Sequence, residues 1–477
     1  MTLLTLDASA LASLASALQG RVVIPGDDDY DAQRQVFLGD FDRRPAAIAR
    51  VANADDVTRV IGFARDTGVE LAVRCGGHST TGQSTTEGGV VLDLRDLTAI
   101  DIDPATKTVW AGAGLSAVEL TKATGEHGLA VGFGDTGSVG ISGITLGGGI
   151  GYMVRKHGLT IDSLLGAELV TADGQLHHVD AEHEPDLFWA IRGGGGNFGV
   201  ATRFKYQLHE AGMVVGGMLI LPATAETVEG FIAAAESAPE ELSTIANVMP
   251  LPPMPDVPEE HHGKLVILAF MVHLGDIAAG EAAVAPFKAL ATPIVDMVRP
   301  MPYPDIYPPE DPSYRPMPVQ RTMFLDHVDR STAQAILDRL EASNATLRAA
   351  QLRVLGGQMA RVPADATAFA HRDKRILAVL VNFYDGTPED RARRQAWVDE
   401  FAGAMDQGVG GAYVNFLTTE GPRTAYPGAT WDRLVAIKQR YDPTNLFRLN
   451  QNVPPQAGSR SQTDRTRRRS STSAANT

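Results

Sequence analysis

The 477-residue chain has a single cysteine, Cys75, and only 6% aromatic residues. One thiol excludes an intramolecular disulfide framework. It also excludes zinc or iron–sulfur sites built from several thiolates. Apolar runs of about 20 residues, the length a membrane span needs, are missing. Positive charge is in short supply, with 42 Lys and Arg against 57 Asp and Glu and a net charge of −15. Five arginines (Arg460, Arg465, Arg467, Arg468, Arg469) follow Pro455 with one acid, Asp464, so the body is more acidic still. An acidic body argues against a nucleic-acid surface. The Ser- and Thr-rich end, 456–477, reads as a disordered tail. Met1 to Leu18 has no basic n-region and suits an amphipathic helix, so no secretory signal is expected and the expected location is cytoplasmic.

What is present is glycine. Of 48 glycines, 26 lie between Gly76 and Gly199. Hydrophobic residues at 44% and charged residues at 21% are ordinary for a globular protein, and the length predicts two domains. The pattern predicts a β-α-β unit: strand Ala46 to Ala52, helix Asp55 to Arg65, strand Val69 to Arg74. Strands follow at Val90 to Leu94 and Thr108 to Ala111, a helix at Leu115 to His127, and a hairpin about the Asp173-Gly174 turn. Val200 to Leu208 alternates as a half-buried strand. Beyond Met213 longer periodic segments predict an α+β region. Strands are read at Met218 to Leu221, Leu265 to His273, Ala349 to Leu355 and Ala378 to Tyr384. Helices are read at Thr224 to Ser237, Ile277 to Leu290, Thr332 to Ala342, Asp390 to Ala404 and Thr430 to Tyr441. Val298 to Val319 holds eight prolines and reads as a long functional loop or lid.

Four glycine clusters carry the chemistry. They are Arg74-Cys75-Gly76-Gly77-His78-Ser79, Gly132 to Gly140, Gly143 to Gly151, and Arg192 to Gly199. Loops without side chains let backbone N–H groups approach a diphosphate, so together they suggest a dinucleotide cradle. Gly194, Gly196 and Gly199 spell G-x-G-x-x-G, but a helix is predicted before them and a strand after. That is the reverse of the nicotinamide-dinucleotide fingerprint. His78, inside a Gly-Gly-His loop, is either a polar turn residue or a nucleophilic or ligating imidazole brought to a cofactor. The pairs His177-His178 and His261-His262 read as surface, so no metal site is expected.

R-C-G-G-H-S at Arg74 to Ser79 resembles the R-S-G-G-H-S loop of the berberine bridge enzyme-like flavoproteins, in the vanillyl-alcohol-oxidase superfamily with its PCMH-type FAD domain. V-G-I-S-G-I-T-L-G-G-G-I-G (Val139 to Gly151) is similar to the second flavin loop of that family, continued by Arg155 to Leu159 and Asp162. L-F-W-A-I-R-G-G-G-G-N-F-G-V (Leu187 to Val200) is similar to a third signature. Tyr413-Val414-Asn415 resembles its Tyr-x-Asn motif, and Tyr441 to Pro455 its C-terminal signature. The resemblance runs in order from about Tyr30 to Pro455.

The resemblance implies an α+β fold. A PCMH-type FAD-binding domain of two small α/β subdomains (1–212 plus 429–455) would carry an inserted substrate domain (213–428), an antiparallel sheet with helices behind it. It implies FAD bonded covalently to His78. Thr136 stands where many members have a second, cysteine tether, so attachment through His78 alone is expected. The implied cofactor contacts are Arg74, Cys75, Gly76, Gly77, Ser79, Gly82, Thr136, Gly137, Val139, Gly140, Gly143, Leu146, Gly147, Gly148, Gly151, Gly199, Val200, Asn415, Asn450 and Asn452. Tyr413 matches the base candidate of the family, and Tyr152 is a second candidate phenol. Arg372, Tyr303, Tyr307 and Tyr314 are expected to shape the pocket. Val139 falls at about the position where, in the family that the chain resembles, a small residue lets dioxygen approach, which implies a peroxide-releasing oxidase of a small metabolite or sugar-like alcohol. A dehydrogenase or oxidative cyclase in secondary metabolism, and a non-catalytic flavin carrier, are the alternatives. Substrate identity and oligomeric state stay open.

Overall fold

A computed structural model describes residues 6–255, 257–418 and 420–456. The tail expected from 456 onward therefore lies outside the described residues except for Gln456. Near the N-terminus, Ala8–Ala17 is helical and is capped by the Asp7 carboxylate.

The β-α-β unit forms as predicted. Ala47–Arg50 and Leu71–Arg74 both run parallel to Val90–Asp93, which lies between them, and Arg21–Val23 adds an antiparallel edge. The connecting helix, Ala54–Thr67, starts on the Asn53 side-chain cap and stops at Gly68, whose φ of 70° ends the helical path. It buries Val57, Val60, Ile61 and Ala64. Beside this unit stands a five-stranded antiparallel sheet in the order Ile100–Asp103, Thr108–Gly112, Val200–Gln207, Leu164–Val170, Leu176–Asp180.

The second large sheet is antiparallel. Its order is Val295–Asp296, Met213–Pro222, Leu265–His273, Leu242–Pro250, Arg348–Val354, Ile376–Phe383, Pro318–Leu325, with Arg299–Pro302 also paired to Met213–Pro222. Strand alternation gives it two unlike faces. Ala350, Leu352, Val354, Ala378 and Leu380 belong to a core shared with the helices Ala225–Ser237, Arg330–Ala342 and Pro388–Met405. Their alternates Gln351, Arg353, Val379 and Val381 line a cavity on the other face.

Three sequence expectations change. Leu242–Pro250, unassigned from the pattern, is an interior strand. Its apolar residues occur on both faces, so its period is weak. The proline-rich stretch is not all loop. Arg299–Pro302 is a short strand pairing on one side only, where proline costs no ladder bond on its free side, Tyr303–Ile306 is a 3-10 turn, and Pro318 already begins a strand. The third glycine cluster opens with a helix, Ile141–Leu146, rather than a plain loop.

The largest apolar core joins residues from both ends of the chain. Val57, Phe133, Leu169 and Phe204 pack with Trp431, Leu434, Phe447 and Val453. Lys438 locks this return. Its buried ammonium donates to Asp442 at 2.7 Å, to the Asn197 carbonyl at 2.7 Å and to the Phe447 carbonyl at 2.9 Å. Asp442 in turn accepts from the N–H groups of Leu446 and Phe447. The C-terminal Tyr441 to Pro455 segment is thereby pinned against the fourth glycine cluster.

Candidate active site

A cavity of about 580 Å³ lies between the glycine loops and the open face of the second sheet. Of the residues expected at a cofactor, Cys75, Gly76, Gly77, His78, Ser79, Thr136, Val139, Gly140, Gly143, Leu146, Gly199, Val200, Asn415 and Asn450 line it, and so does Tyr413. Five separate stretches of chain thus converge on one space. The loops cross closely: a Cβ on Gly76 would lie 2.3 Å from the Gly140 nitrogen. Gly143 and Gly196, by contrast, present their missing Cβ to open cavity, with no heavy atom within 4 Å. That is the room a flat or phosphorylated ligand needs to approach the backbone. Ser84 and Asn450 also reach the cavity, each with a buried oxygen that has no partner among the described residues. These features fit a bound dinucleotide.

Other expected contacts are placed elsewhere. Arg74 is buried beneath its loop, paired with Asp93 at 2.6 Å, and also bonds the Gln33 carbonyl. It braces the strand end and leaves the cavity without its charge. Gly82 packs against the Phe41 ring and Gly148 against Phe369. Gly147 admits the Asn415 amide and Gly151 the Phe133 carbonyl, each where a Cβ would sit within 2 Å. These four glycines serve packing. Gly137 lines a neighbouring cavity of about 590 Å³, together with Ser138, Lys122, Tyr307 and Glu310. Asn452 is half-buried outside the lining, and its side-chain oxygen is buried without a partner among the described residues.

Tyr413 and Tyr152, the two candidate phenols, separate clearly. Tyr413 lines the cavity, and its hydroxyl oxygen accepts from the Gly149 N–H at 3.0 Å and from Asn415 Nδ2 at 2.8 Å. Burial pushes its pKa up. The Asn415 and Gly149 donors, the Arg353 guanidinium and the Ile150 N–H pull it down by less, so it stays above the ordinary tyrosine value. Tyr152 is 2% exposed in the large core, outside the lining, and burial with the nearby Asp135 charge holds it protonated.

Arg372 does not shape the cavity. It forms a two-bond pair with Asp162, at 2.7 and 2.8 Å, joining the segment after the third glycine cluster to the segment after Arg348–Val354. Arg155 makes a second such joint, donating to the carbonyls of Ala235 and Ala238 at the C-terminal end of Ala225–Ser237 and to that of Leu242, which opens the next strand. A guanidinium there satisfies carbonyls that the helix end leaves free. Of the three expected tyrosines, Tyr314 lines the cavity. Tyr303 is buried, and Tyr307 bonds the Gly134 carbonyl at 3.2 Å from the second cavity.

The pattern gave no notice of the far wall. Gln351 donates to Asn247 at 3.0 Å across paired strands, and Arg353 donates to Gln351 Oε1 and to Asp135 at 2.9 Å. Gln320, Val379, Val381, Phe383 and Phe416 complete it. Period-2 positions on Arg348–Val354 could have flagged Gln351 and Arg353 as one face, but not which space that face overlooks. Phe37 was equally silent: it stacks on His78 with centroids 4.0 Å apart.

Comparison with known proteins agrees with this geometry. Residues 45–180 match the family described as FAD binding domain, and residues 412–454 match berberine and berberine like. The (R)-6-hydroxynicotine oxidase of Paenarthrobacter nicotinovorans is 30% identical, over 92% of this chain and 98% of its own. Xylooligosaccharide oxidase of Thermothelomyces thermophilus is 29% identical, over 86% and 87%. The crystal structure of 6-hydroxy-D-nicotine oxidase from Arthrobacter nicotinovorans superposes with a TM-score of 0.80 at 28% identity, covering 91% of this chain and 98% of that one.

Proposed function

The chain belongs to the berberine bridge enzyme-like FAD-linked oxidoreductases, and from that premise we propose that it is an oxidase of an uncharged small alcohol or heteroatom-adjacent C–H, with its flavin tethered to His78 alone. Bound FAD would supply a two-electron acceptor for hydride and a route for those electrons to dioxygen, which would become hydrogen peroxide. The observation that carries the reading is Tyr413, a buried phenol facing the cavity with backbone and amide donors aimed at its oxygen.

Those donors suit a phenolate, which needs hydrogen bonds where water is excluded. Tyr413 would take the substrate hydroxyl proton as the adjacent C–H loses hydride. Asn415 orients it and also bonds the Ile144 carbonyl at 3.2 Å, tying the base to the flavin loop. The backbone of Gly143, Gly196 and the Gly76–Ser79 loop would hold the cofactor, since the cavity receives no charge from Arg74. Asn247, Gln351, Arg353 and the valines of the far wall would receive the substrate. Asp135, the acid in that lining, is already paired with Arg353, so the wall offers amides and apolar surface and favours a neutral ligand. Val139, half-buried at the cavity, is the small residue that would let dioxygen approach.

The test is anaerobic mixing with a panel of sugars, aromatic alcohols and hydroxylated heteroaromatics, followed by admission of air. The proposal expects bleaching of the flavin by a neutral member of the panel and stoichiometric peroxide on re-oxidation. Bleaching without peroxide would favour a dehydrogenase. Acid precipitation should leave flavin on the polypeptide of the wild type and none on that of His78→Ala.

A further inference from the structure

His78 is one end of a hydrogen-bond chain. Its Nε2 lies 3.0 Å from Ser138 Oγ. Ser138 spends both its donors on Glu310: Oγ on Oε2, and the backbone N–H on Oε1 at 3.0 Å. Glu310 comes from the proline-rich stretch, 172 residues further along the chain. Phe37 stacked on the imidazole fixes the ring plane.

Counting protons orders the chain. A carboxylate only accepts, and a serine hydroxyl has one proton. That proton goes to Glu310, so Ser138 Oγ is left as an acceptor toward His78. Nε2 therefore carries the imidazole hydrogen and Nδ1 carries the lone pair. Burial keeps the ring neutral, lowering its pKa to about 4 against the opposing charge of Glu310.

We propose that Glu310 and Ser138 form a priming relay for flavin attachment: they hold His78 as the Nε2–H tautomer, present Nδ1 as the nucleophile, and receive the Nε2 proton as the bond forms. This rests on the reading of His78 as the flavin tether. Glu310 and Ser138 are positioning residues acting through His78. In the net reaction the Nδ1–C8α bond forms while one C–H bond of the flavin 8-methyl group and the Nε2–H bond of His78 are broken. The two electrons and two protons released reduce dioxygen to hydrogen peroxide, and His78 ends neutral with its lone pair at Nε2. The route for the proton is built in. His78 lines the large cavity, whereas Ser138 and Glu310 line the second one beside Lys122.

The experiment compares wild type, Ser138→Ala, Glu310→Gln and Ser138→Thr, each produced with its flavin. The readout is the ratio of acid-stable to total bound flavin at a fixed early time, with the substituted nitrogen identified by NMR of the isolated flavopeptide. The relay expects Nδ1 substitution in the wild type. It expects a ratio lower by about a hundredfold in Ser138→Ala and Glu310→Gln, the lower end of what a proton acceptor contributes, and recovery in Ser138→Thr. A tethered wild type with an equally tethered Ser138→Ala overturns the relay alone, as does attachment at Nε2. A wild type that releases all its flavin overturns the tether and the relay together.

Discussion

Tyr413 has two donors on its oxygen and a guanidinium nearby, so replacing its hydroxyl removes the acceptor of the whole arrangement. Tyr413→Phe is expected to slow flavin reduction by about 10²- to 10⁴-fold, the usual worth of a general base, with flavin content unchanged, as read by anaerobic stopped flow. Gly143 makes the opposite case. Its Cβ would meet nothing within 4 Å in the protein, and it sits inside the helix Ile141–Leu146, where alanine is favoured by up to about 1 kcal/mol. Gly143→Ala should therefore leave the flavin-free fold as stable as wild type, or more so, while lowering flavin occupancy. Absorbance ratio and thermal unfolding of the flavin-free fraction separate the two effects. A stable protein with full flavin content would show that the cofactor backbone does not pass Gly143.

Elements reach the site because buried ion pairs pin them. Ala429–Tyr441 ends in the Lys438–Asp442 pair, both side chains fully buried, and from it the chain turns back to bring Asn450 to the cavity. Removing one partner of a buried pair costs about 3–5 kcal/mol because the other is left charged and unpaired. Lys438→Met is expected to lose that much in urea unfolding, and to lose flavin as the Tyr441 to Pro455 segment loosens. The same logic explains Arg74. The residue opens the first glycine-loop motif, yet its side chain joins Asp93 and Gln33 under the loop, so it sets the loop's position rather than facing the cavity.

Across the whole molecule, paired joints hold the second sheet over the glycine loops: Arg372 with Asp162, Arg155 with three carbonyls, and Lys156 with the Leu274 carbonyl. Beside the last lies a stacked pair, His157 and His209, with rings 3.8 Å apart. Burial first, then nearby positive charge, lowers both pKa values to about 4. The unfolded chain, with ordinary histidines near 6.5, binds more protons than the folded one between those values, so stability rises with pH there. It is fully present above about pH 6.5 and falls as pH drops toward 4. His157→Phe keeps a stacked ring and removes one of the two titrations, leaving His209. It should lessen, without abolishing, the fall in unfolding midpoint between pH 6.5 and 5, measured by urea unfolding across that range. Among the described residues, no helix is long and apolar enough to cross a membrane.

Much of the cradle was legible locally. Glycines cluster where backbone must come close to something, and the order of strand, loop and helix around each cluster follows from short-range patterning. The motifs therefore pointed to loops that line the cavity, with His78 and Tyr413 among them, before any fold was known. Short-range patterning is blind to the far partner of each contact. It could not tell Gly143, which faces open cavity, from Gly147, which faces Asn415, because the two differ only in what lies across space. Nor could it turn Arg74 away from the cavity, reject Tyr152 as a cavity residue, find the Gln351–Arg353 wall, or bring Glu310 to Ser138. Those depend on pairing across tens to hundreds of residues, which folding closes only when the cores on both sides of the cavity are packed.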